Sequence, residues 1–447
     1  MKKKLTRLLQ SATCPLLILG ILGELAGFAL AQTPAAGLDS VEQKLLEHAR
    51  EHQSDAIEIL RRVVDINSGT MNFDGVREVG RHFRKEFDAL GFETKWVDGA
   101  AFERAGHLWA ERLGDGPSVL LIGHLDTVFE PHSPFQKFEK LAEDRAKGPG
   151  TVDMKGGNVV IVQALKALRA TGVLNRLSLR VILTGDEEKS GRPLDLARQA
   201  IREAAEWADI ALGFEDGDGD PGTAVVARRG STSWRIEVQG TPAHSSQIFR
   251  DDIGYGSIFE AARILDAFRS ELSEEPLLTF NPGTILGGTT VAWDPEQAQG
   301  TAFGKENVIA EKTVISGDIR CISSQQLETS KQRMREIVSR HLPHTSAEII
   351  FDDGYPPLAP NPGNYRLLEM YGQVSRDLGF GPVAAVDPRK AGAADISFTE
   401  GLIEMALDGL GLMGDDGHTV NETADLRTLP SQTARAAVLL YRLSKSK

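Results

Sequence analysis

Short apolar runs alternate with helix-like repeats along most of the chain. Three runs of mainly aliphatic residues predict buried strands, at residues 119–122, 177–184 and 210–214. Three stretches with apolar residues every three or four positions predict helices, at residues 41–66, 159–168 and 194–207. This alternation is typical of an α/β domain whose mixed sheet contains parallel strands. The pattern resumes after residue 347 and ends in a predicted helix at residues 434–443.

A different pattern interrupts the chain near residue 225. Residues 233–238 alternate between apolar and polar side chains, as a half-exposed strand does. Two helices and two further strands are predicted beyond it, at residues 253–268, 279–285, 314–319 and 325–341. This mixture predicts a small α+β module inserted into the first domain. The predicted boundaries are residues 39–228 and 343–447 for the first domain, and residues 229–342 for the insertion.

Composition narrows the class of protein. A chain of 447 residues, 41% hydrophobic and 25% charged, is ordinary for a soluble globular protein. Its formal net charge of -13 argues against a nucleic-acid partner, because binding phosphates requires a basic surface. Of its two cysteines, Cys14 lies in a segment that we expect to be removed. Cys321 then has no partner for an internal disulfide.

The amino-terminal segment predicts secretion. The basic residues at its start are Lys2, Lys3, Lys4 and Arg7. An apolar stretch at residues 16–30, interrupted by Glu24, leads to a small-residue cleavage site at Ala29 and Ala31. We therefore expect a signal peptide at residues 1–31, a periplasmic or secreted protein, and no stable membrane insertion after removal. The alternative is a retained membrane anchor, which Glu24 and the glycines of the run disfavour.

Acidic and histidine residues stand at the ends of the predicted strands or in nearby loops. Five of them are candidate metal ligands: His124, Asp153, Glu188, Glu215 and His418. Open α/β sheets build their sites at the carboxyl ends of strands. Two histidines with several carboxylates suit zinc or a similar divalent ion.

Each of these motifs also has a purely structural interpretation. His124, followed two residues later by Asp126, also fits a strand-end histidine held by an acid. Asp153, which precedes a predicted helix, also fits an N-cap. Glu187 and Glu188 also fit a solvated acidic turn, whereas in a metal site one would bind metal and the other would act as general base. The combination of the motifs favours the metal site.

Five longer motifs contain these residues. They are GHLDTV at 123–128, GPGTVDMKGG at 148–157, TGDEEKSG at 184–191, GFE at 213–215 and GDDGHTVNE at 414–422. Through them the chain resembles the co-catalytic di-zinc carboxypeptidases and deacylases, a family that includes carboxypeptidase G, aminoacylase, acetylornithine deacetylase and succinyl-diaminopimelate desuccinylase. The resemblance implies a catalytic domain of the zinc-exopeptidase type. It also implies two bound zinc ions, or another divalent metal such as cobalt or manganese.

The resemblance also implies how the ligands divide between two metals. His124 and Glu215 correspond to ligands of one metal, and Glu188 and His418 to ligands of the other. Asp153 corresponds to the residue that bridges them.

Further residues correspond to the family's catalytic and substrate-binding positions. Asp126 corresponds to the acid that orients a ligand, and Glu187 to the general base. The inserted module resembles a ferredoxin-like lid that usually dimerises, which implies a homodimer. Within it, His244 corresponds to a histidine that reaches the partner's active site, and Asn307 with Arg320 to the pair that holds a substrate carboxylate.

One loop departs from the family pattern. Where the family often has Gly-Gly-Thr-Ser-Asp, this chain has Ala391, Gly392, Ala393, Ala394 and Asp395. The loop around Gly392 helps shape the substrate pocket, so the missing hydroxyl leaves the substrate open.

Three hypotheses about function follow. The first is an exopeptidase that releases a C-terminal residue, such as glutamate. The second is a deacylase that acts on N-acyl-amino acids. The third, a non-catalytic binding protein on the same fold, is disfavoured because Glu187 and the ligand set are intact.

Overall fold

Ten α-helices lie in the part of the chain that the computed structural model describes, residues 37–295 and 297–445. They are α1 (Ser40–Glu51), α2 (Gln53–Val64), α3 (Phe73–Ala89), α4 (Lys155–Ala170), α5 (Leu194–Ala197), α6 (Gln199–Trp207), α7 (Gly256–Leu272), α8 (Ser324–Val338), α9 (Pro362–Asp377) and α10 (Thr428–Leu443). Side chains cap several helix starts. Asp39 and Glu42 form a capping box at α1, and Asn361 caps α9 just before Pro362.

Eighteen strands lie in the same described residues. They are β1 (Glu93–Asp98), β2 (Gly106–Arg112), β3 (Ser118–His124), β4 (Glu139–Ala142), β5 (Arg145–Lys147), β6 (Ser178–Thr184), β7 (Ile210–Gly213), β8 (Thr223–Ala224), β9 (Thr232–Gly240), β10 (Thr279–Gly288), β11 (Thr290–Asp294), β12 (Gln299–Phe303), β13 (Lys312–Arg320), β14 (Thr345–Asp353), β15 (Ala384–Ala385), β16 (Met405–Leu407), β17 (Gly414–Asp415) and β18 (Thr423–Asp425).

A six-stranded mixed sheet forms the centre of the fold, in the order β1-β2-β6-β3-β7-β16. The four strands β6, β3, β7 and β16 run parallel, whereas β1 and β2 add an antiparallel edge. The predicted α/β class with a mixed sheet is confirmed. Because β6, β3 and β7 are adjacent and parallel, the loops after them meet at one edge of the sheet.

Helices cover both faces of this sheet. Val119 and Leu121 of β3 belong to the core formed with α3, α4 and α10, whereas Leu120 and Ile122 face the core formed with α6. Successive residues of a strand point to opposite faces, so this strand is apolar throughout because both of its faces are buried.

Two predicted helices are each broken into two, so the prediction of a continuous helix is wrong at both places. The first breaks at His52, whose ring turns back onto His48 with 3.9 Å between ring centroids. The second breaks at Arg198 between α5 and α6. The Arg198 guanidinium is completely buried between Asp186 and Asp395. The helix is interrupted at the residue whose side chain forms these two ion pairs.

A second sheet is wholly antiparallel and has the order β10-β13-β9-β14. The chain runs through it as β9-α7-β10-β13-α8-β14, the connection order of a ferredoxin-like fold, with the β11–β12 hairpin added after β10. Trp234 and Ile236 of β9 pack against Phe268 of α7 and Met334 of α8 in a separate hydrophobic core.

The carboxyl-terminal boundary of this insertion needs a correction. The prediction ended the insertion at residue 342, but β14 pairs with β9 along its whole length, from Thr345 to Asp353. Ala347, Ile349 and Phe351 pack against the core of the second sheet. The short alternating pattern of this strand resembles the start of the next α/β segment, which the sequence pattern places after residue 347.

The predicted signal peptide at residues 1–31 and Cys14 lie outside the described residues. Among the helices within residues 37–445 that the structure describes, none combines the length and apolar character needed to cross a bilayer. Cys321 is a buried free thiol.

Candidate metal centre

Three of the candidate ligands follow adjacent parallel strands. His124 is the last residue of β3, Glu188 lies in the loop after β6, and Glu215 follows β7. The register pairs His124 with Thr184 at the end of β6, so the ends of these strands are level. Parallel pairing therefore brings together ligands that are far apart in the sequence.

A four-stranded antiparallel sheet, in the order β17-β18-β5-β4, positions the other two candidate ligands. Asp153 lies between β5 and α4, and His418 lies between β17 and β18. Because β18 pairs with β5, the loop that carries Asp153 begins beside the strand at which the loop of His418 ends. His418 adopts a left-handed backbone conformation with φ 64°, which turns this loop sharply at the site.

The five side chains form two groups that share Asp153. In one group, His124 Nε2 lies 3.0 Å from Asp153 Oδ1 and 3.7 Å from Glu215 Oε1. In the other, His418 Nε2 lies 2.7 Å from Asp153 Oδ2 and 3.1 Å from Glu188 Oε2. Asp153 thus presents one carboxylate oxygen to each group.

These separations fit ligands of a divalent ion. Tetrahedral zinc bonds of about 2.0–2.2 Å hold neighbouring nitrogen and oxygen ligands about 3.3 Å apart. The observed separations of 2.7–3.7 Å bracket that value. The donor set of imidazole nitrogens and carboxylate oxygens is also one that zinc accepts.

The electrostatics of the pocket also favour a cation. Burial raises the pKa of Glu188 to about 7, and the Asp153 carboxylate adds to the rise. Burial likewise raises the pKa of Glu215 well above its ordinary value. Hydrogen bonds to Asp153 and Glu188 raise the pKa of His418 to about 11. A divalent ion would neutralise these carboxylates and replace the protons that the histidines otherwise hold.

Asp126 organises the loop that carries Glu187. Its carboxylate accepts hydrogen bonds from the backbone N–H groups of Glu187, at 3.1 Å, and Glu188, at 3.2 Å. The Thr70 hydroxyl donates a third, at 2.7 Å. His124 Nδ1 lies 3.0 Å from the Asp126 carbonyl oxygen and 3.4 Å from its carboxylate. Asp126 therefore contacts both the candidate ligand His124 and the predicted base.

Sequence reasoning did not assign a role to Glu422. This buried carboxylate accepts hydrogen bonds from the backbone N–H groups of Gly150, Val152 and Asp153, at 2.9–3.3 Å. It therefore holds the loop that presents Asp153. Its place in the same motif as His418, four residues later, was the available signal.

The residues predicted to bind substrate lie apart from the metal ligands. His244 is exposed, its Nδ1 accepts a hydrogen bond from the Ser246 backbone, and the next residue bonds to the Asn307 carbonyl, so His244 and Asn307 are neighbours. Arg320, at the end of β13, pairs with Asp318 at 3.0 Å. Within the described chain, no hydrogen bond or ion pair joins these three side chains to the five candidate ligands.

Gly392 is linked to the loop that carries Glu215 through a buried ion pair. Its carbonyl accepts a hydrogen bond of 2.7 Å from Arg228 Nη1, and Arg228 Nε lies 2.8 Å from Asp408. Asp408 in turn accepts a hydrogen bond from the Glu215 backbone N–H, at 3.3 Å. Sequence reasoning did not find Arg228 or Asp408, because no local pattern marks a buried pair 180 residues apart.

Comparison with known sequences decides the family. The profile of peptidase family M20/M25/M40 matches residues 120–443. The chain belongs to this family. The family resemblance inferred from the motifs is therefore confirmed, and the chain is an M20-family hydrolase.

The M20 chain has relatives along nearly its whole length. It is 24% identical over 425 residues to carboxypeptidase G2 of a Pseudomonas species, which covers 94% of this chain and 95% of the relative. It is 27% identical over 268 residues to succinyl-diaminopimelate desuccinylase of Alkalilimnicola ehrlichii, covering 56% of this chain and 65% of that enzyme.

Solved structures share the M20 fold. The aminopeptidase PepT of Bacillus cereus superposes with a TM-score of 0.69 at 19% identity, over 88% of this chain and 99% of the other. The YXEP protein of Bacillus subtilis, described as a dinuclear metal binding peptidase of the M20 family, superposes with a TM-score of 0.62 at 14% identity, over 89% and 99%. At these identities the likeness concerns the fold.

Proposed function

We propose that this M20 hydrolase is a secreted carboxypeptidase-type exopeptidase that works with two zinc ions. One observation carries the proposal: Asp153 presents one oxygen to the His124 group and the other to the His418 group. This is the arrangement that a bridging carboxylate needs between two metals. The relative that covers nearly the whole chain is a carboxypeptidase, and the predicted signal peptide would bring the enzyme to extracellular peptides.

The chemistry divides between the metals and the chain. His124, Asp153, Glu188, Glu215 and His418 would hold two divalent ions, which would supply Lewis acidity at the scissile carbonyl and a water molecule of lowered pKa. Glu187 accepts the proton of that water and passes it to the leaving amine nitrogen. Asp126 accepts a hydrogen bond from the Glu187 backbone N–H, so the backbone that carries the base is held next to the loop of His124.

The insertion supports a homodimer in this proposal. Ile258 and Phe259 of α7 are each 50% exposed, and Ile285 of β10 is 52% exposed. These three residues are on the insertion, as is the exposed His244, which makes no hydrogen bond to the candidate ligands of its own chain among the described residues. A second copy that covers these apolar residues would bring its His244 to stabilise the oxyanion.

Substrate choice is the finer part of the proposal. Arg320 and Asn307 are assigned to the substrate carboxylate, since a guanidinium binds carboxylates bidentately, and an acidic leaving residue such as glutamate is the favoured case. The alternative is an N-acyl-amino-acid deacylase, which the desuccinylase relative and the Ala393–Ala394 departure support. An assay that measures the amine released from a panel of dipeptides and N-acyl-amino acids separates the two activities. A protein inactive on both, with metal bound, would favour the non-catalytic hypothesis.

Glu187→Gln tests the mechanism directly. Turnover should fall at least about a hundredfold, the scale of general base catalysis, while about two metal ions per chain remain by elemental analysis. Glu203→Gln is the matched control, because Glu203 is an exposed residue of α6 whose carboxylate contacts only the nearby Gln199 among the described residues. Wild-type turnover in Glu187→Gln, or in metal-free protein, would refute the mechanism.

Mixing inactive variants tests the dimer. His244→Ala should impair activity, and mixing it with inactive Glu187→Gln should restore part of the activity if each site borrows His244 from its partner. Light scattering should give the mass of a dimer. A monomer, or no recovery on mixing, would show that His244 does not act across an interface.

A further inference from the structure

The peptide groups around Glu187 are held on two sides. On one side, Asp126 accepts the hydrogen bond of the Glu187 N–H, at 3.1 Å. On the other, the Tyr355 hydroxyl donates to the Glu187 carbonyl oxygen, at 3.0 Å. The Asp126 contact comes from the sheet that carries the metal ligands, whereas Tyr355 comes from a different part of the fold.

Tyr355 lies in the segment through which the chain returns from the second sheet to the central sheet. It follows the end of β14 at Asp353 by two residues. Its carbonyl accepts a hydrogen bond of 2.9 Å from the backbone N–H of Ser231, which immediately precedes β9. The two segments that connect the sheets pair with each other here, as the bridge between Arg228 and Leu358 also shows, so the Tyr355 backbone is held at the junction of the two sheets.

Its side chain is equally constrained. The ring packs edge-on against Phe398 with 5.0 Å between centroids. The hydroxyl accepts a hydrogen bond of 2.6 Å from Arg198 Nη2, and Asp395 Oδ1 lies 3.1 Å away as a second possible acceptor. Arg198 Nε lies 2.8 Å from that Asp395 oxygen, so the Asp395 carboxylate is already paired with a cation. We therefore assign the hydroxyl proton to the Glu187 carbonyl, which is the shorter of the two acceptor contacts.

We propose that Tyr355 is a positioning residue that connects the loop of Glu187 to the junction of the second sheet with the central sheet. Its backbone is held at the junction and its hydroxyl at the Glu187 carbonyl, so the side chain fixes the distance between the two. The junction thereby helps to set the position of the Glu187 backbone. This inference rests on the proposed role of Glu187 as general base.

Tyr355→Phe removes only the hydroxyl. The variant loses the hydrogen bond to the Glu187 carbonyl together with the hydroxyl's contacts to Arg198 and Asp395. Because the base is then less well placed in the transition state, kcat should fall about five- to tenfold. KM should change by less than about twofold, since substrate contacts stay in place. Metal content should be unchanged. Tyr371→Phe is the matched control: Tyr371 is buried in α9, its hydroxyl contacts Gln432 at 3.3 Å, and its loss should lower thermal stability without changing kcat.

A double-mutant cycle separates positioning from general damage. In a Glu187→Asp background, whose shorter carboxylate is already misplaced, Tyr355→Phe should lower kcat by less than about twofold more. The proposal is overturned if Tyr355→Phe keeps wild-type kcat, or if it lowers kcat equally in both backgrounds. Failure of the proposed function looks different: Glu187→Gln would then keep full turnover, whatever the Tyr355 variants do.

Discussion

Arg198→Met should destabilise the protein by several kcal/mol, because its guanidinium compensates two buried carboxylates. Arg198 Nη1 lies 2.8 Å from Asp186 Oδ1, Arg198 Nε lies 2.8 Å from Asp395 Oδ1, and none of these side chains is more than 3% exposed. Removing one partner of a buried ion pair costs about 3–5 kcal/mol, because the remaining charge stays desolvated. Met preserves much of the volume, so most of the loss should be electrostatic.

Urea unfolding of the metal-loaded proteins, followed by circular dichroism, measures this difference. Arg192→Met is the control, since its partner Asp352 lies 3.4 Å away and the two side chains are 54% and 70% exposed. An exposed pair contributes about 0–1 kcal/mol. Adding Asp186→Asn and Asp395→Asn to Arg198→Met should recover part of the stability, because no uncompensated charge remains. A loss in Arg198→Met no larger than in Arg192→Met would refute the reasoning.

Three further predictions concern other buried groups. Burial lowers the pKa of His107, whose Nε2 donates to the Ala197 carbonyl, so its contribution to stability is present above the ordinary pKa of 6.5 and is lost as the pH falls below it. Urea unfolding at pH 7.5 and 5.5 should show a loss of up to about 1.4 kcal/mol per pH unit from this group, absent in His107→Gln; equal pH slopes would contradict this. Burial raises the pKa of Cys321 to about 12, so native protein should resist iodoacetamide at pH 8 while urea-unfolded protein reacts, and rapid native labelling would contradict the assignment. Phe268→Ala should cost about 3–5 kcal/mol in thermal or urea unfolding, because its ring is 1% exposed in the core of the second sheet, and a loss below about 1 kcal/mol would show that this core repacks.

The sequence by itself determined the layered fold and the places from which the ligands come. An apolar run such as residues 119–122 is buried on both faces, and only a covered sheet provides such an environment. Once β6, β3 and β7 are parallel neighbours, their carboxyl ends must converge, which is why His124, Glu188 and Glu215 could be grouped before any distance was known. These inferences depend on local periodicity and on the general geometry of parallel sheets.

Tertiary structure decided what three consecutive acids do. Asp186 turns away from the metal centre to pair with Arg198, Glu187 has its backbone held by Asp126 and Tyr355, and Glu188 faces His418. Nothing in the sequence around Asp186 separates it from its neighbours, because its partner Arg198 comes from the break between α5 and α6 and pairs at the same time with the distant Asp395. The sequence likewise did not indicate that helices break at His52 and Arg198, or that β14 pairs with the second sheet. Periodicity reports which face of an element is buried, but contacts between distant residues leave no repeat in the chain, so only the folded structure reveals the partners that hold the loop of Glu187.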